Sequence, residues 1–235
     1  MDSYEGKAKI LTKHASIANT YLMRFKDDAT AGNGQKHAVF PGKGAINTRI
    51  TWLLFKYLEA HGIKHHILDQ IDTTTLHVQH VDIIPLEVVV RTKVAGSLQK
   101  RTGLAYGTLC ETPIVEFYYK RDDLGDPLFN NAHIQLMKLA SPDNVATLSR
   151  QALHIGELLR DLFARTHIDI FDFKLEFGKR PSGEIILADE ISPDTCRLRD
   201  TQTHAILDKD LFRLDAGDLI QGYNAVLKRL ESVLF

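Results

Sequence analysis

Residues 172–178 read Asp-Phe-Lys-Leu-Glu-Phe-Gly, and residues 184–194 read Glu-Ile-Ile-Leu-Ala-Asp-Glu-Ile-Ser-Pro-Asp. Side chains of an extended strand alternate between its two faces. The first run therefore predicts a strand with Asp172, Lys174 and Glu176 on one face and Phe171, Phe173, Leu175 and Phe177 on the other. Gly178, Pro181 and Gly183 interrupt it, and Glu184–Ile191 is expected to return as the second arm of a hairpin. Pairing Phe177 with Glu184 sets Asp189 opposite Asp172, and a slip of one residue puts Glu190 there instead. Carboxylates from two strands then converge around a lysine. Two readings of this face stand. It is a site for a hard, oxygen-liganded cation such as Mg²⁺ with nucleotide phosphates, or a solvated sheet face of mixed charge.

The 235 residues suffice for one large domain or two lobes. A hydrophobic content of 44% and a charged content of 25% belong to ordinary globular chains. No apolar run reaches the length of a membrane span, and the first residues carry no signal-peptide core. Cys110 and Cys196 form no metal-ligand spacing and no disulfide framework, so a reducing cytoplasm is the expected location. A net charge of −1 speaks against nucleic acid or membrane as general partners. An anionic ligand must then be held by a local cluster. His65, His66, His77 and His80 lack the ligand spacing that a zinc site requires.

In chain order, Tyr4–Thr12 reads as a first strand, with Lys7 and Lys9 on one face beside Gly6. These lysines suit a polyphosphate, or equally an edge strand guarded against aggregation. No Gly-x-x-x-x-Gly-Lys-Ser/Thr loop and no Gly-x-Gly-x-x-Gly motif occurs. Residues 19–26 predict a second strand, followed by a loop at 27–34 whose Gly32, Asn33 and Gly34 permit left-handed backbone. Residues 44–61 predict a helix, with Ile46, Ile50, Leu53, Leu54, Tyr57 and Leu58 on one stripe and Gly62 as its stop. Val88-Val89-Val90 predicts a buried strand that delivers Arg91 into the interior or a cleft. A short helix is expected from Gly96 and Ser97 to Gly103. Ser97 caps it or, given Arg91, Lys93, Lys100 and Arg101 nearby, marks an anion site. Residues 114–120 predict a strand, the acidic loop 121–127 a lid or an amine-binding segment. Ser141-Pro142 starts a helix to about Arg165, and a last amphipathic helix spans about 216–233.

Several segments together resemble the SAICAR synthetase family, the phosphoribosylaminoimidazole-succinocarboxamide synthases. They are Tyr-Glu-Gly-Lys-Ala-Lys at 4–9, Asp-Asp-Ala-Thr-Ala-Gly-Asn-Gly at 27–34 and Ile-Pro-Leu-Glu-Val-Val-Val-Arg at 84–91, then Ala-Gly-Ser at 95–97, Asp-Phe-Lys-Leu-Glu-Phe-Gly at 172–178 and Asp-Glu-Ile-Ser-Pro-Asp at 189–194. The resemblance implies an α+β, two-lobed fold related to ATP-grasp enzymes, with antiparallel sheets and flanking helices. Residues 1–84 would form the ATP-binding lobe and residues 85–235 the substrate- and metal-binding lobe. It implies an ATP-dependent ligase that joins L-aspartate to carboxyaminoimidazole ribonucleotide (CAIR) through an acyl phosphate, giving SAICAR, ADP and phosphate. ATP and Mg²⁺ would be its cofactors and a homodimer its assembly.

By the same resemblance, Lys7 and Lys9 hold the ATP phosphates, Lys120 approaches the nucleotide, and the backbone around Ile83 receives the adenine. Glu176 and Asp189 hold both ATP and the metal. Arg91, Gly96, Ser97, Lys174 and Arg197 receive the ribonucleotide, with Asp194 binding or orienting beside them. Lys174 and Asp172 are the catalytic candidates, Asp172 as an orienting group or proton acceptor. No base for the aspartate amine is named by the sequence. Three places depart from the family pattern: Thr92-Lys93-Val94 before Ala-Gly-Ser, Ile191 for a phenylalanine, and Arg199 for a tryptophan. None removes a charged group that the chemistry needs. A small-molecule kinase with the same ATP site, or a silent nucleotide-binding protein, is the competing class.

Overall fold

The computed structural model describes residues 3–32 and 34–235, so Asn33 of the 27–34 loop lies outside the described residues. The chain opens with β1 (Ser3–Glu5), β2 (Lys9–Lys13) and β3 (Thr20–Phe25), then a separate ribbon of β4 (Asp28–Ala31) and β5 (Lys36–Val39). Helix α1 (Lys43–Ala60) leads to β6 (Ile67–Gln70) and β7 (Thr75–Gln79). A five-stranded antiparallel sheet follows the order β1-β2-β3-β7-β6. The expected single strand at 4–12 is instead a hairpin. Gly6 N–H donates to the Lys9 carbonyl at 2.8 Å, which closes the turn. Lys7 therefore sits at the tip rather than sharing a strand face with Lys9.

The second sheet is built from β8 (Asp82–Lys93), helix α2 (Gly96–Thr102), β9 (Leu109–Tyr119), β10 (Leu128–Phe129), helix α3 (Asn131–Leu136), helix α4 (Pro142–Arg165), β11 (Ile168–Lys179), β12 (Ile185–Ala188) and β13 (Cys196–Asp200). Its order is β10-β9-β8-β11-β12, with β13 also pairing β11, all antiparallel. Helices α5 (Asp210–Arg213) and α6 (Leu219–Leu234) close the chain. Helix α6 begins three residues later than the pattern suggests, because the Asp218 carboxylate accepts the Gln221 N–H at 3.0 Å and caps it there. Helix α4 starts as expected, with Ser141 Oγ accepting from Asn144 N–H at 3.2 Å.

Helix α1 is capped from a distance. The Asp27 carboxylate accepts the N–H groups of Gly42 and Gly44 at 3.2 and 2.8 Å. The apolar stripe of α1 buries Ile50, Leu54 and Leu58, and α4 buries Leu148, Ile155 and Leu159. One core runs from Met23 and Leu76 of the first sheet through Leu54 to Phe173 and Leu175 of the second. The sheets are also joined by backbone: His66 N–H donates to Leu187 O, and Leu187 N–H to Lys64 O, each at 3.0 Å. No described helix is long and apolar enough to cross a membrane.

Two expectations about the central hairpin are corrected. Strand β11 continues through Gly178 to Lys179 and turns at Pro181-Ser182-Gly183, so Phe177 pairs with Leu187 instead of Glu184. Asp172 consequently faces Arg91 of β8 and Arg197 of β13, not Asp189. The second correction concerns Phe171. A register irregularity between Ile170 and Asp172 takes it out of the main core, and its ring packs on Tyr106 beneath the Lys93 and Arg199 cations.

Candidate active site

A cavity of about 1090 Å³ lies between the two sheets. It is lined by Lys7, Lys9, Ile83, Lys120, Glu176 and Asp189 at one end. Arg91, Asp172, Lys174, Asp194 and Arg197 line it too. Gly96 and Ser97 are not in its wall and join it through arginines. The volume exceeds that of a typical single-ligand pocket, which leaves room for two substrates.

Strand β11 supplies the centre. Lys174 Nζ donates to Glu87 of β8 at 2.8 Å and to Glu176 at 2.9 Å, and Glu176 also pairs with Lys120. Lys9 reaches from the first sheet to Asp189 and, at 2.7 Å, to Glu190. Adjacent residues of a continuing strand would face opposite ways. Strand β12 ends at Ala188, and Asp189 takes a left-handed backbone (φ 60°), so both neighbouring carboxylates turn to one ammonium. Asp189 and Glu190 are thus not alternatives, as the register argument had them, but a pair.

These charges are buried and mutually supporting. Burial opposes ionisation of Asp189, but Lys9, Lys174 and Lys120 outweigh it and hold the carboxyl well below its ordinary range. Glu176 is lowered in the same way by Lys174, Lys120 and Lys9, against burial and the nearby Asp189. Burial likewise opposes the charge on Lys9, and Asp189, Glu190 and Glu176 raise it well above the usual lysine value. Behind them His66 Nε2 lies 3.0 Å from the Asp189 carbonyl, and burial lowers this imidazole to about 4, so it is neutral.

Around Ile83 the wall is apolar, with Leu11, Met23, Val78 and Val81. Strand β8 carries two extra residues between its pairings to Glu176 and Gly178, where Pro85 interrupts the ladder. A Cβ on Gly178 would sit 2.4 Å from the Val81 side chain, so glycine is what lets β8 approach there.

The other end is a guanidinium cluster. Arg91, 3% exposed, donates to Glu116 at 2.7 Å, Asp172 at 2.8 Å, Ser97 Oγ at 2.9 Å and Tyr118 Oη at 3.1 Å. Ser97 is committed to this arginine and does not cap α2, whose N-cap is Ala95. Arg197 Nη1 holds both oxygens of Asp172 at 2.8 and 3.1 Å. Gly96 has φ 53°, and a Cβ on it would meet Arg197 Nη2 at 2.5 Å, so this glycine is required twice over. Asp194 faces away from this cluster. It pairs with Lys43 at 2.6 Å, accepts from Asn47 at 2.8 Å and from Tyr223 Oη at 2.7 Å, and its pKa falls to about 2 as these partners overcome burial.

A profile of the SAICAR synthetase family matches residues 2–230. This chain belongs to the SAICAR synthetase family. It is 51% identical to a phosphoribosylaminoimidazole-succinocarboxamide synthase of Bacillus mycoides over 97% of this chain and 95% of the relative. It is 50% identical to one of Bacillus cereus over 98% and 96%. Among solved structures it is similar to a SAICAR synthetase in complex with ADP (TM-score 0.94, 47% identity, 97% of each chain covered). The synthase of Ehrlichia chaffeensis superposes with TM-score 0.94 at 41% identity, again over 97% of each chain. The architecture above is accordingly the α+β SAICAR synthetase fold, related to ATP-grasp, with antiparallel sheets and flanking helices.

Several residues of this synthetase site escaped the sequence reading. Glu87 sits within the quoted Ile-Pro-Leu-Glu run, but only the β8–β11 pairing sets it beside Lys174. Glu116 and Tyr118 alternate on β9 and are the anchors of Arg91 and Arg101. Lys43 lies just before the helix expected at 44–61 and drew no reading, yet it is 1% exposed and bound to Asp194. Lys209 lines the cavity, and burial lowers its ammonium pKa despite Asp194. No periodicity marks any of these five positions as functional.

Proposed function

We propose that this protein is an ATP-dependent carbon–nitrogen ligase that joins L-aspartate to CAIR, giving SAICAR, ADP and phosphate. One observation carries the reading. A lysine–carboxylate centre and a guanidinium cluster share a single cavity and meet on alternate residues of β11, Asp172 and Lys174. Residues 1–84 serve as the nucleotide lobe and residues 85–235 as the ribonucleotide and metal lobe. The adenine lies along the apolar wall at Ile83, and Lys7, Lys9 and Lys120 meet the phosphates. Arg91 and Arg197, with Ser97 and Gly96 behind them, take the phosphate of CAIR, and Asp194 orients the segment that carries Arg197.

The CAIR carboxylate must be activated before an amine can displace one of its oxygens. A carboxylate oxygen attacks the γ-phosphorus, the bond to the ADP oxygen breaks, and an acyl phosphate forms. The aspartate amine then attacks the acyl carbon, phosphate departs, and the amine loses its proton. Lys9 and Lys174 stabilise charge that moves between the phosphoryl oxygens and the carboxylate. Asp172 holds Arg91 and Arg197 in register and is the nearest candidate to accept a proton.

Glu176 and Asp189 are hard oxygen donors, and lysine ammonium groups already neutralise them from the cavity side, where a cation would sit. No group of three or more potential metal-ligating side chains occurs among the described residues. Two carboxylates completed by nucleotide phosphates is how Mg²⁺ is commonly held. When bound, Mg²⁺ would neutralise phosphate charge and orient the transferring group. The enzyme acts in the cytoplasm, as a homodimer.

The test is ADP release from the purified protein with Mg·ATP and CAIR, with and without L-aspartate. Aspartate-dependent release, with SAICAR seen by mass spectrometry, is the expected result. Aspartate-independent release with a stable phosphorylated product would make the protein a kinase, and binding without turnover a silent one.

A further inference from the structure

We propose that Arg199 is a positioning residue for Arg197 and thereby sets this chain's affinity for its ribonucleotide. The proposal rests on the functional reading above, in which Arg197 meets the phosphate of CAIR. Arg197 and Arg199 are two apart on β13 and share a strand face, while Leu198 points into the core. Arg197 lines the cavity and Arg199 does not. Any effect of Arg199 on substrate must pass through another group.

That group is Asp210. Its Oδ2 accepts from Arg197 Nε at 3.1 Å and from Arg199 Nη2 at 3.0 Å, and its Oδ1 from Arg213 at 2.8 Å. The rest of the Arg199 guanidinium is fixed as well. Nε donates to Tyr106 Oη at 2.7 Å, and Nη1 donates to the Leu198 carbonyl at 2.9 Å and pairs with Asp208. Asp208 is fully buried and also accepts two backbone N–H groups, at 2.7 Å each, so it cannot shift. The result is an alternating row, Asp208–Arg199–Asp210–Arg197–Asp172–Arg91, anchored at one end and open to the cavity at the other.

In such a row each partner's charge is felt by the next, because little water screens it. Removing Arg199 leaves Asp210 to draw on Arg197 and Arg213 alone and leaves Asp208 without its cation. Negative charge is then uncovered beside Arg197, and the guanidinium loses part of what fixes its plane. Both changes weaken the hold on an incoming phosphate, and neither touches the nucleotide end.

Three variants test this: Arg199→Met, Arg199→Lys and the double variant Arg199→Met with Asp208→Asn. The double variant removes both charges of the buried pair and leaves no carboxylate stranded at position 208, but keeps only one of the two backbone acceptors there, so thermal stability is measured alongside every variant. Steady-state kinetics are run in each substrate with the others saturating. The expected result is a KM for CAIR raised about tenfold in Arg199→Met, less than the roughly 10²-fold of a full misplacement because Asp172 still holds Arg197. Arg199→Lys, which keeps the charge but not the fork, should be intermediate. The KM values for ATP and aspartate should stay near wild type, and the double variant should retain a raised KM for CAIR. A wild-type KM for CAIR in the double variant overturns the proposal, as does a parallel change in all three KM values and kcat that follows thermal stability. The wild-type control reports separately on the functional reading. If it makes no SAICAR, that reading fails, and the same variants are compared by calorimetric binding of ribose 5-phosphate, where equal affinities would overturn the positioning role.

Discussion

Lys9 Nζ donates to Glu190 Oε1 at 2.7 Å, a bond between the first sheet and the residue that follows the turn out of the second. With Asp189 as its other partner, this lysine spans the cleft and is partly buried, its side chain 15% exposed. A polyphosphate entering the cleft would take over one side of that ammonium. Lys9→Met should lower kcat/KM for ATP by roughly 10²-fold, the scale for loss of one preorganised charge partner. The affinity for CAIR, measured by calorimetry without nucleotide, should stay within about twofold, since its contacts lie at the guanidinium end. An unchanged kcat/KM for ATP would remove Lys9 from the nucleotide site.

Arg91 tests the opposite end. All its named partners belong to the second sheet or to α2, and it is buried. Arg91→Ala should weaken CAIR binding by about 10²-fold or more, as expected for losing a hydrogen-bonded charge partner. It should also destabilise the fold by about 3–5 kcal/mol, because Glu116 and Asp172 lose a buried cation. Calorimetry and urea unfolding give the two numbers. Unchanged CAIR binding would mean that the phosphate sits elsewhere.

The fate of Arg91 shows what was legible beforehand. A run of three valines ending in arginine indicated that the side chain is carried inward, because pattern and strand direction are local properties. The identity of its partners was not legible: Glu116 and Asp172 arrive from strands 25 and 81 residues away. The same limit explains the hairpin register, which the positions of glycine and proline suggested three residues out of place. It explains Asp189 and Glu190 too, since alternation assigns neighbours to opposite faces and only a left-handed residue at the strand end defeats it. Helices α1 and α4 were read almost to the residue, because their apolar stripes, the Gly62 stop of α1 and the Ser141 cap of α4 are sequence-local, whereas the Asp27 carboxylate that caps α1 from 15 residues upstream was not legible.

Glu176 is 3% exposed and touches Lys120 and Lys174. Glu176→Gln preserves its shape and removes the charge that would bind a cation. The Mg²⁺ concentration for half-maximal ADP release should rise by about tenfold or more, in line with losing a charged ligand. In the wild type, chelation by EDTA should stop turnover and added Mg²⁺ restore it. Equal Mg²⁺ dependence in the two proteins would exclude Glu176 from the metal site.

Asp194 gives a stability test that is independent of catalysis. Its carboxylate is buried with Lys43, Asn47 and Tyr223, and its pKa is lowered from an ordinary 3.8 to about 2. A carboxyl that is more acidic when folded stabilises the fold in full only while the unfolded chain's carboxyl is also ionised, and the contribution falls away as the pH drops through the folded-state pKa. Its contribution is therefore complete above about pH 4 and is lost as the pH falls toward about 2, a change on the order of 2 kcal/mol. Asp194→Asn should be less stable than wild type by about 3–5 kcal/mol near neutral pH, since Lys43 is left buried without its counterion. The difference should narrow as the pH drops below 4, because wild-type Asp194 takes up a proton and the variant has none to gain. Urea unfolding of both proteins at pH 6, 4 and 3 reads this out, and a gap that stays constant or widens on acidification would show that the Asp194 carboxylate is not held by these three partners.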